Sequence, residues 1–481
     1  MQTDLAIVGA GPAGLAAAIE ASALGLNVTL VDEQSRIGGQ IYRNIERQSL
    51  SKTAILGADY YAGIELAKAF NASNCQYINQ ASVWQLGSQG ELYYSRKNQV
   101  QSQAHSLKAK HILLASGAQE RPFPIPGWTL PGVMTAGAAQ ILLKTSGVAA
   151  EGAVFAGSGP LLYLIVYQYI QAGIKVKALL DTTPKANYVN AIKHLDGALK
   201  GWQHIYKGLS LIKAIKAAGV SHIKGVKALK ALATPNADTS ANLASPASLD
   251  KVQYEVGNRT FEIQTEHLFL HQGVVPNVNL AMASGCLHDW HQDQACWQPV
   301  LDEWGQSSQA NISIIGDGAG IAGAQSAAYK GRLTAIHLAH TLGKISLEQR
   351  DNLSKRWRKQ LNKELAFRPF LDALYLPPAH LRRPQQDDTL VCRCEEVNYG
   401  EIKSAIKQGC MGPNQLKSFT RCGMGPCQGR QCGLTVTEIM AHETQEQASD
   451  VGYYRVRAPI KPLNLGELAS LDTSASEQEK T

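Results

Sequence analysis

The stretch from Leu5 to Glu33 restricts the possible folds of this chain more than any other. Leu5-Ala6-Ile7-Val8 is an apolar run fit for a buried parallel strand, and it breaks directly into Gly9-Ala10-Gly11-Pro12-Ala13-Gly14. A helix-forming segment from Leu15 to Leu24 follows, then a second strand from Asn27 to Val31 that ends in Asp32-Glu33. A GxGxxG turn between strand and helix, with an acid about 20 residues on, is the sequence form of a dinucleotide-binding βαβ unit. Gly9 is expected to make the tight turn, Gly11 to admit a pyrophosphate to the backbone, and Gly14 to let helix and strand close up. Pro12 and Ala13 complete the turn, and the helix N-terminus behind them offers free N–H groups to phosphate.

With 481 residues the chain has room for roughly two to four domains. A hydrophobic content of 44% and 43 glycines fit an α/β protein with real cores. The net charge of +7 is modest, and no nucleic-acid-binding motif is present. Basic residues gather between Lys355 and Arg383, where a solvated helix face is expected. The N-terminus enters the first strand without a charged and apolar leader. The longest apolar run, Leu161 to Ile170, is too short to span a bilayer, so a cytoplasmic chain without a transmembrane segment is expected. Six of the nine cysteines crowd between Cys392 and Cys432, which in a reducing compartment points to metal rather than to disulfides.

Further strand-like runs end in small residues. Lys110 to Gly117 closes with Ser116-Gly117, followed by prolines at 122, 124, 126 and 131 that suit a domain junction. A second βαβ pattern begins at Ala153 and turns at Gly157-Ser158-Gly159, and its next strand ends at Asp181. Leu162 stands there where a third small residue would ease helix packing, so a bound NAD is expected to be strained or displaced. Residues 233–250 form a polar, low-complexity run read as an exposed, mobile loop, and Asn311 to Ile315 leads into Gly316-Asp317-Gly318 and a helix from about Ala322 to Thr341. The expected fold is α/β, with two Rossmann-like dinucleotide-binding domains and a small α-rich C-terminal domain. The first domain takes residues 1–145 and 270–345, the second 146–269, a helical linker 346–387, a cysteine domain 388–450 and a tail 451–481. The last ten residues are expected to fray.

Three segments resemble the two-dinucleotide-binding-domain flavoproteins. GAGPAG resembles their FAD pyrophosphate site, with Asp32 where a Glu usually meets the adenosine ribose and Glu33 beside it. LLASGAQERP, with Ser116 and Gly117, resembles their third conserved strand, and IIGDGAG resembles the second FAD motif, in which Asp317 would orient the ribityl chain and Gly316 would clear space for phosphate. Gly39 and Gln40, in Gly38-Gly39-Gln40-Ile41-Tyr42-Arg43, would pass beside the flavin ring. A second nucleotide, NAD(P) or ATP-like, is a candidate at Gly157 and Gly159. Disulfide reduction is excluded, because residues 76–285 contain no cysteine and thiol exchange needs two. His271 is expected to be a core or loop histidine rather than a flavin contact.

The cysteine region reads Cys392-Arg393-Cys394, then Arg421-Cys422-Gly423-Met424-Gly425-Pro426-Cys427-Gln428-Gly429-Arg430-Gln431-Cys432. Two close pairs of thiolates suit a [2Fe–2S] cluster, with Cys392 and Cys394 on one iron and Cys422 and Cys427 on the other. Cys410 and Cys432 are set aside as spares, with Cys432 able to replace Cys427, and a structural zinc is the alternative occupant. Arg393, Arg421 and Arg430 are candidates to balance the cluster's charge, and Cys75, Cys286 and Cys296 are expected in the core.

This region resembles the bacterioferritin-associated-ferredoxin-like [2Fe–2S] domain, although the gap in its second pair is wider than usual. GGQIYR, GDGAGIAGAQ and TRCGMGPCQGRQCG together resemble the FAD/[2Fe–2S] subunit of heteromeric amine dehydrogenases: octopine and nopaline oxidases, hydrogen cyanide synthase and D-hydroxyproline dehydrogenase. That resemblance implies a partner, an amino-acid-oxidase-like FAD subunit that takes hydride from a small amine substrate, a small ferredoxin-like subunit being a further candidate. This chain would relay the electrons, which agrees with its lack of an evident acid–base pair. A self-sufficient NAD(P)H-dependent flavin and iron–sulfur reductase is the rival reading, and a zinc-stiffened scaffold is a third.

Overall fold

The structure, a computed structural model, describes residues 2–47, 53–97, 102–233 and 247–478. The centre of the low-complexity run falls outside these residues, but its flanks are placed. Val226–Ala233 pairs antiparallel with Leu249–Val256, and Arg259–Gln264 completes a three-stranded sheet.

The N-terminal pattern folds as its spacing requires. Strand β1 (Gln2–Val8) runs into helix α1 (Pro12–Ala23), and β2 (Val28–Val31) and β3 (Gln76–Ile78) lie parallel beside it. An antiparallel meander, β4 (Ala81–Leu86), β5 (Glu91–Lys97) and β6 (Ser102–Leu114), brings the chain back to pair β6 parallel with β1. Leu5, Ile7, Leu30 and Leu113 are fully buried in this sheet, each contributing about 1.5–3 kcal/mol.

A second, five-stranded parallel sheet follows. It contains β7 (Val133–Thr135), β8 (Ala153–Ser158), β9 (Val176–Asp181), β10 (Ser221–Lys224) and β11 (Leu268–Gln272), with helix α2 (Ala136–Ser146) after β7 and α3 (Pro160–Gln171) after β8. The chain then returns to the first sheet, where β12 (Ile312–Ile314) pairs parallel with β6. The register places Val8, Val31, Leu114 and Ile314 at one edge, so the turns after them share one crevice. Helix α4 (Ala324–Thr341) packs on α1. The approach is close because α1 is rich in alanine and α4 carries Gly331, where a Cβ would lie 2.3 Å from the Ala13 carbonyl oxygen.

The basic segment forms α5 (Leu347–Leu365), started by a Ser346/Gln349 capping box, and α6 (Arg368–Tyr375). Its cations are not all merely solvated. Arg358 lies over the Trp304 ring at 4.1 Å, and Arg382 pairs with buried Glu438 at 3.0 Å. The cysteine region is largely helical, ending in α7 (Gly433–Thr444), and a strap then leads to α8 (Leu465–Gln478), which packs on β6. The helix therefore continues into residues that the sequence reads as frayed. The buried cysteines 392, 422 and 432 share one apolar core with Ala6, Val31, Ile112 and Ile314 of the first sheet.

Candidate flavin and cysteine sites

The glycine turn after β1 is drawn tight. A Cβ on Gly14 would lie 1.9 Å from the Gly9 carbonyl oxygen, so helix and strand are as close as the backbones permit. Gly11 differs: its φ is −79°, and a Cβ there would meet only the Gly39 Cα at 3.9 Å. Space in front of Gly11 is thus left for something outside the protein, as a pyrophosphate requires. The segment around Gly39 crosses this turn, held by a 2.8 Å bond from the Gly38 N–H to the Ala10 carbonyl.

Asp32, expected at the adenosine ribose, is held by the backbone on both sides. Its Oδ2 accepts the Ala10 N–H at 2.6 Å and its Oδ1 accepts the Gln34 N–H at 2.7 Å. Both oxygens fasten the backbone, and burial raises the carboxyl's pKa against those two bonds. The more accessible acid at the strand end is Glu33. Burial alone would raise its pKa, but the Lys461 hydrogen bond and the Lys461 and Arg430 charges outweigh that and lower it.

Across the crevice, the Asp317 Oδ1 accepts the N–H groups of Ala322 and Gly323, each at 3.0 Å, while no protein donor reaches Oδ2 among the described residues. Ser116 donates to the Asn277 carbonyl at 3.0 Å and so ties the β6 end to the neighbouring loop. Gly316 has φ +68°, and a Cβ there would strike the Ala13 Cβ at 2.8 Å. These turns fit the adenosine, pyrophosphate and ribityl parts of FAD.

Lys144, on α2, is a member of this neighbourhood that the sequence gives no reason to select. Its ammonium donates to the carbonyls of Gln40 (3.2 Å) and Ile41 (2.9 Å). Burial, with Arg43 nearby, pulls its pKa down to about 7. Elsewhere, on β11, buried His271 meets the Glu120 carboxylate through Nδ1 at 2.8 Å, as a satisfied core histidine would.

The second glycine turn is packed against its sheet as tightly as the first, where a Cβ on Gly9 would lie 2.4 Å from the Ala115 carbonyl oxygen. A Cβ on Gly157 would lie 1.6 Å from the His271 carbonyl oxygen, so this glycine serves sheet packing. Asp181 accepts the Tyr163 hydroxyl at 2.6 Å and the Thr183 N–H at 2.9 Å, with His222 at 3.4 Å. Helix α6 lies over the turn, its Tyr375 ring 6.5 Å from that of Tyr163, and the Asn187 amide donates to the Leu374 and Leu376 carbonyls. The cavity left by Gly159, Gln272 and Tyr375 holds about 120 Å³, well below the ~300–1,000 Å³ usual for ligand pockets.

The cysteine sulfurs converge, but in a grouping other than the expected one. Cys392, Cys422 and Cys432 lie with their Sγ atoms all within 4.8 Å of one another, and all three are buried. The Cys394 thiol meets Cys427. Cys432, expected as a spare, therefore lies within the group beside Cys422, whereas the Cys410 thiol bonds to the Gly412 carbonyl at 3.5 Å. Contacts with Cys422 and Cys432 lower the Cys392 pKa, and the same contacts with Cys392 raise theirs. The Tyr454 hydroxyl donates to Cys422 at 3.3 Å. Three buried sulfurs converging in this way could hold a thiolate-binding metal centre. Two of the three arginines are engaged elsewhere: Arg421 pairs with Glu395 at 2.8 Å, and Arg393 lies 5.2 Å over the Trp128 ring. Cys286 and Cys296 are buried as expected, but Cys75 is only partly covered.

No helix among the described residues is long and apolar enough to cross a membrane. Residues 3–161 match the pyridine nucleotide-disulphide oxidoreductase family, and residues 386–471 match the sarcosine oxidase A3 domain. Among solved structures, L-proline dehydrogenase from P. horikoshii shares the fold (TM-score 0.69, 18% identity, 97% of this chain and 79% of that one). Hydrogen cyanide synthase subunit HcnB of Pseudomonas aeruginosa is 31% identical over 98% of this chain and 99% of its own length. One of the subunits of opine oxidase from Agrobacterium tumefaciens (strain Ach5) is 42% identical over 98% of this chain and 92% of its own length. A match of that identity across nearly the whole of both chains makes this protein a member of the same family of opine oxidase subunits.

Proposed function

We propose that this chain is the FAD and [2Fe–2S] electron-transfer subunit of a heteromeric dehydrogenase that oxidises an amino acid or secondary amine, of the opine or D-hydroxyproline kind. The observation that carries this reading is the cysteine group built onto the same apolar core as the strands behind the FAD turn. FAD takes up two electrons as a hydride equivalent and the cluster passes them singly, so the pair converts one kind of transfer into the other. The protein's part is to hold both in fixed relation. Gly11, Glu33, Gly39 and Asp317 shape one site, and the cysteines shape the other. By proximity, Cys394 and Cys427 hold one iron, and Cys392 with either Cys422 or Cys432 holds the other.

The partner that removes hydride from the substrate is an amino-acid-oxidase-like subunit. An apolar surface on the helices spanning residues 185–217 supports such a partner: Val189, Ile192, Leu199, Trp202, Tyr206 and Leu209 are all more than half exposed. The rival reading, a self-sufficient NAD(P)H reductase, needs Asp181 for a ribose, and that carboxylate already accepts the Tyr163 hydroxyl and the Thr183 N–H.

The test is co-expression with the partner subunit, followed by anaerobic purification of the complex. Flavin absorbance, iron and acid-labile sulfide are expected together, with bleaching by opines or proline derivatives. Cys394→Ser and Cys427→Ser should each abolish iron binding, whereas of Cys422→Ser and Cys432→Ser only one should. A colourless protein containing zinc would overturn the proposal.

A further inference from the structure

We propose that Arg430, on the loop between Cys427 and Cys432, is a ligand of the adenosine diphosphate half of FAD, so that the cysteine loop forms the outer wall of the flavin site. The inference rests on the FAD and cluster reading above and adds a direct link between the two sites.

The loop is pinned to the FAD-binding part of the chain on one side and to its own domain on the other. Gln119, three residues after Ser116, donates through Nε2 to the Arg430 carbonyl at 2.8 Å. Asn279 donates through Nδ2 to the Gln428 carbonyl at 3.0 Å, and Asn277 of the same loop is tied to Ser116. From behind, the Tyr453 hydroxyl donates to the Gly429 carbonyl at 3.3 Å, and a Cβ on Gly429 would lie 2.6 Å from the Tyr454 ring. Only a backbone held in this way brings a residue between two cluster cysteines to the mouth of the crevice.

Arg430 reaches that mouth without a protein partner of its own. Its Nε is buried with no hydrogen-bond partner, and no carboxylate stands in ion-pair contact with it among the described residues. The side chain is only half-buried, but an Nε shielded from water and left unpaired is costly unless a ligand engages the guanidinium. Its charge helps to lower the Glu33 pKa, so it stands on the side of the crevice that holds Glu33 and the Asp32 that fastens the glycine turn. Lys461 closes on Glu33 from the strap that follows the cysteine domain, and the Ile460 N–H holds the strap to the Trp84 carbonyl at 3.0 Å. Lys461 is thus spent on Glu33, and Arg430 is the cation left on that side of the site for the anionic half of FAD.

One consequence is linkage: ligands that order the cysteine loop must strengthen FAD binding, and FAD must strengthen theirs to the same degree. The test measures FAD rebinding to the flavin-stripped full chain by quenching of flavin fluorescence, with iron and sulfide assayed in parallel. Arg430→Gln should weaken FAD binding about ten- to a hundredfold, as loss of a charge-assisted hydrogen bond does, with iron and sulfide content unchanged. Arg430→Lys should recover part of the loss, and chelator-stripped wild-type chain should bind FAD more weakly than cluster-loaded chain. Unaltered FAD affinity in Arg430→Gln, or loss of its iron, would overturn the proposal, the latter by assigning Arg430 to the cluster. A wild-type chain lacking flavin or iron would instead overturn the functional reading itself.

Discussion

The Tyr163 hydroxyl donates a 2.6 Å hydrogen bond to Oδ2 of Asp181, the acid that a dinucleotide bound at the second glycine turn would need for its ribose. Burial alone would raise the Asp181 pKa, and the bonds from His222, Tyr163 and Thr183 reverse that and lower it. The carboxylate is thus already committed within the protein. NADH and NADPH are therefore expected to leave the flavin of the isolated chain oxidised. Stopped-flow absorbance checks this, and rapid bleaching by either nucleotide would refute it.

Alanine at two glycines of one turn should act in opposite ways. Gly14→Ala puts a methyl group into the Gly9 carbonyl and should cost ~1–3 kcal/mol of stability by overpacking. Gly11→Ala meets nothing closer than 3.9 Å in the protein and should leave the melting temperature of the flavin-free chain unchanged. The same methyl group occupies the space left for pyrophosphate, so this variant should purify without flavin. A Gly11→Ala chain of normal yellow colour would count against the site.

Lys144 sets an expected pH dependence. Its folded pKa, about 7, is lower than that of an unfolded lysine because burial penalises the charge. Between those two values the unfolded chain binds a proton that the folded chain does not, so stability rises with pH there, by up to about 1.4 kcal/mol per unit. Below the folded value both states are protonated and the contribution is flat. Urea unfolding at about pH 7 and about pH 9 should show this rise in the wild type and a shallower one in Lys144→Met. Equal slopes in the two proteins would remove Lys144 as the cause.

The apolar surface on residues 185–217 should be needed for assembly and not for cofactor content. Trp202, 60% exposed, and Leu199, 71% exposed, have little to lose in the isolated chain. Leu199→Glu with Trp202→Glu should retain flavin and iron but fail to co-purify with the partner subunit. Retained co-purification would move the interface elsewhere.

Much of the first site was legible from short-range pattern, because a strand, a turn and a helix are local and their glycines answer local sterics. Gly9 to Gly14 and Gly316-Asp317 came out where spacing put them. What escaped was set by contacts between distant segments. Asp32 spends its oxygens on Ala10 and Gln34, Lys144 reaches Gln40 across 104 residues, and Lys461 closes on Glu33 from a strap near the C-terminus. Spacing made Cys392 and Cys394 look like one pair, yet the strand ends at Cys392 and the turn that follows carries Cys394 to a different neighbour. Cys432 was readable only as a substitute, since nothing in a linear spacing shows that α7 begins by burying it.

The strap that carries Lys461 has a bearing on how the protein is made. The turn from Gly9 to Gly14 is synthesised hundreds of residues before Lys461 and before α8, which lies on β6. Nascent chains stalled before that point would present the groove with one side unbuilt. Secure capture of the flavin is in this sense a late event of biosynthesis, timed by the tail rather than by the turn that first grips the phosphates.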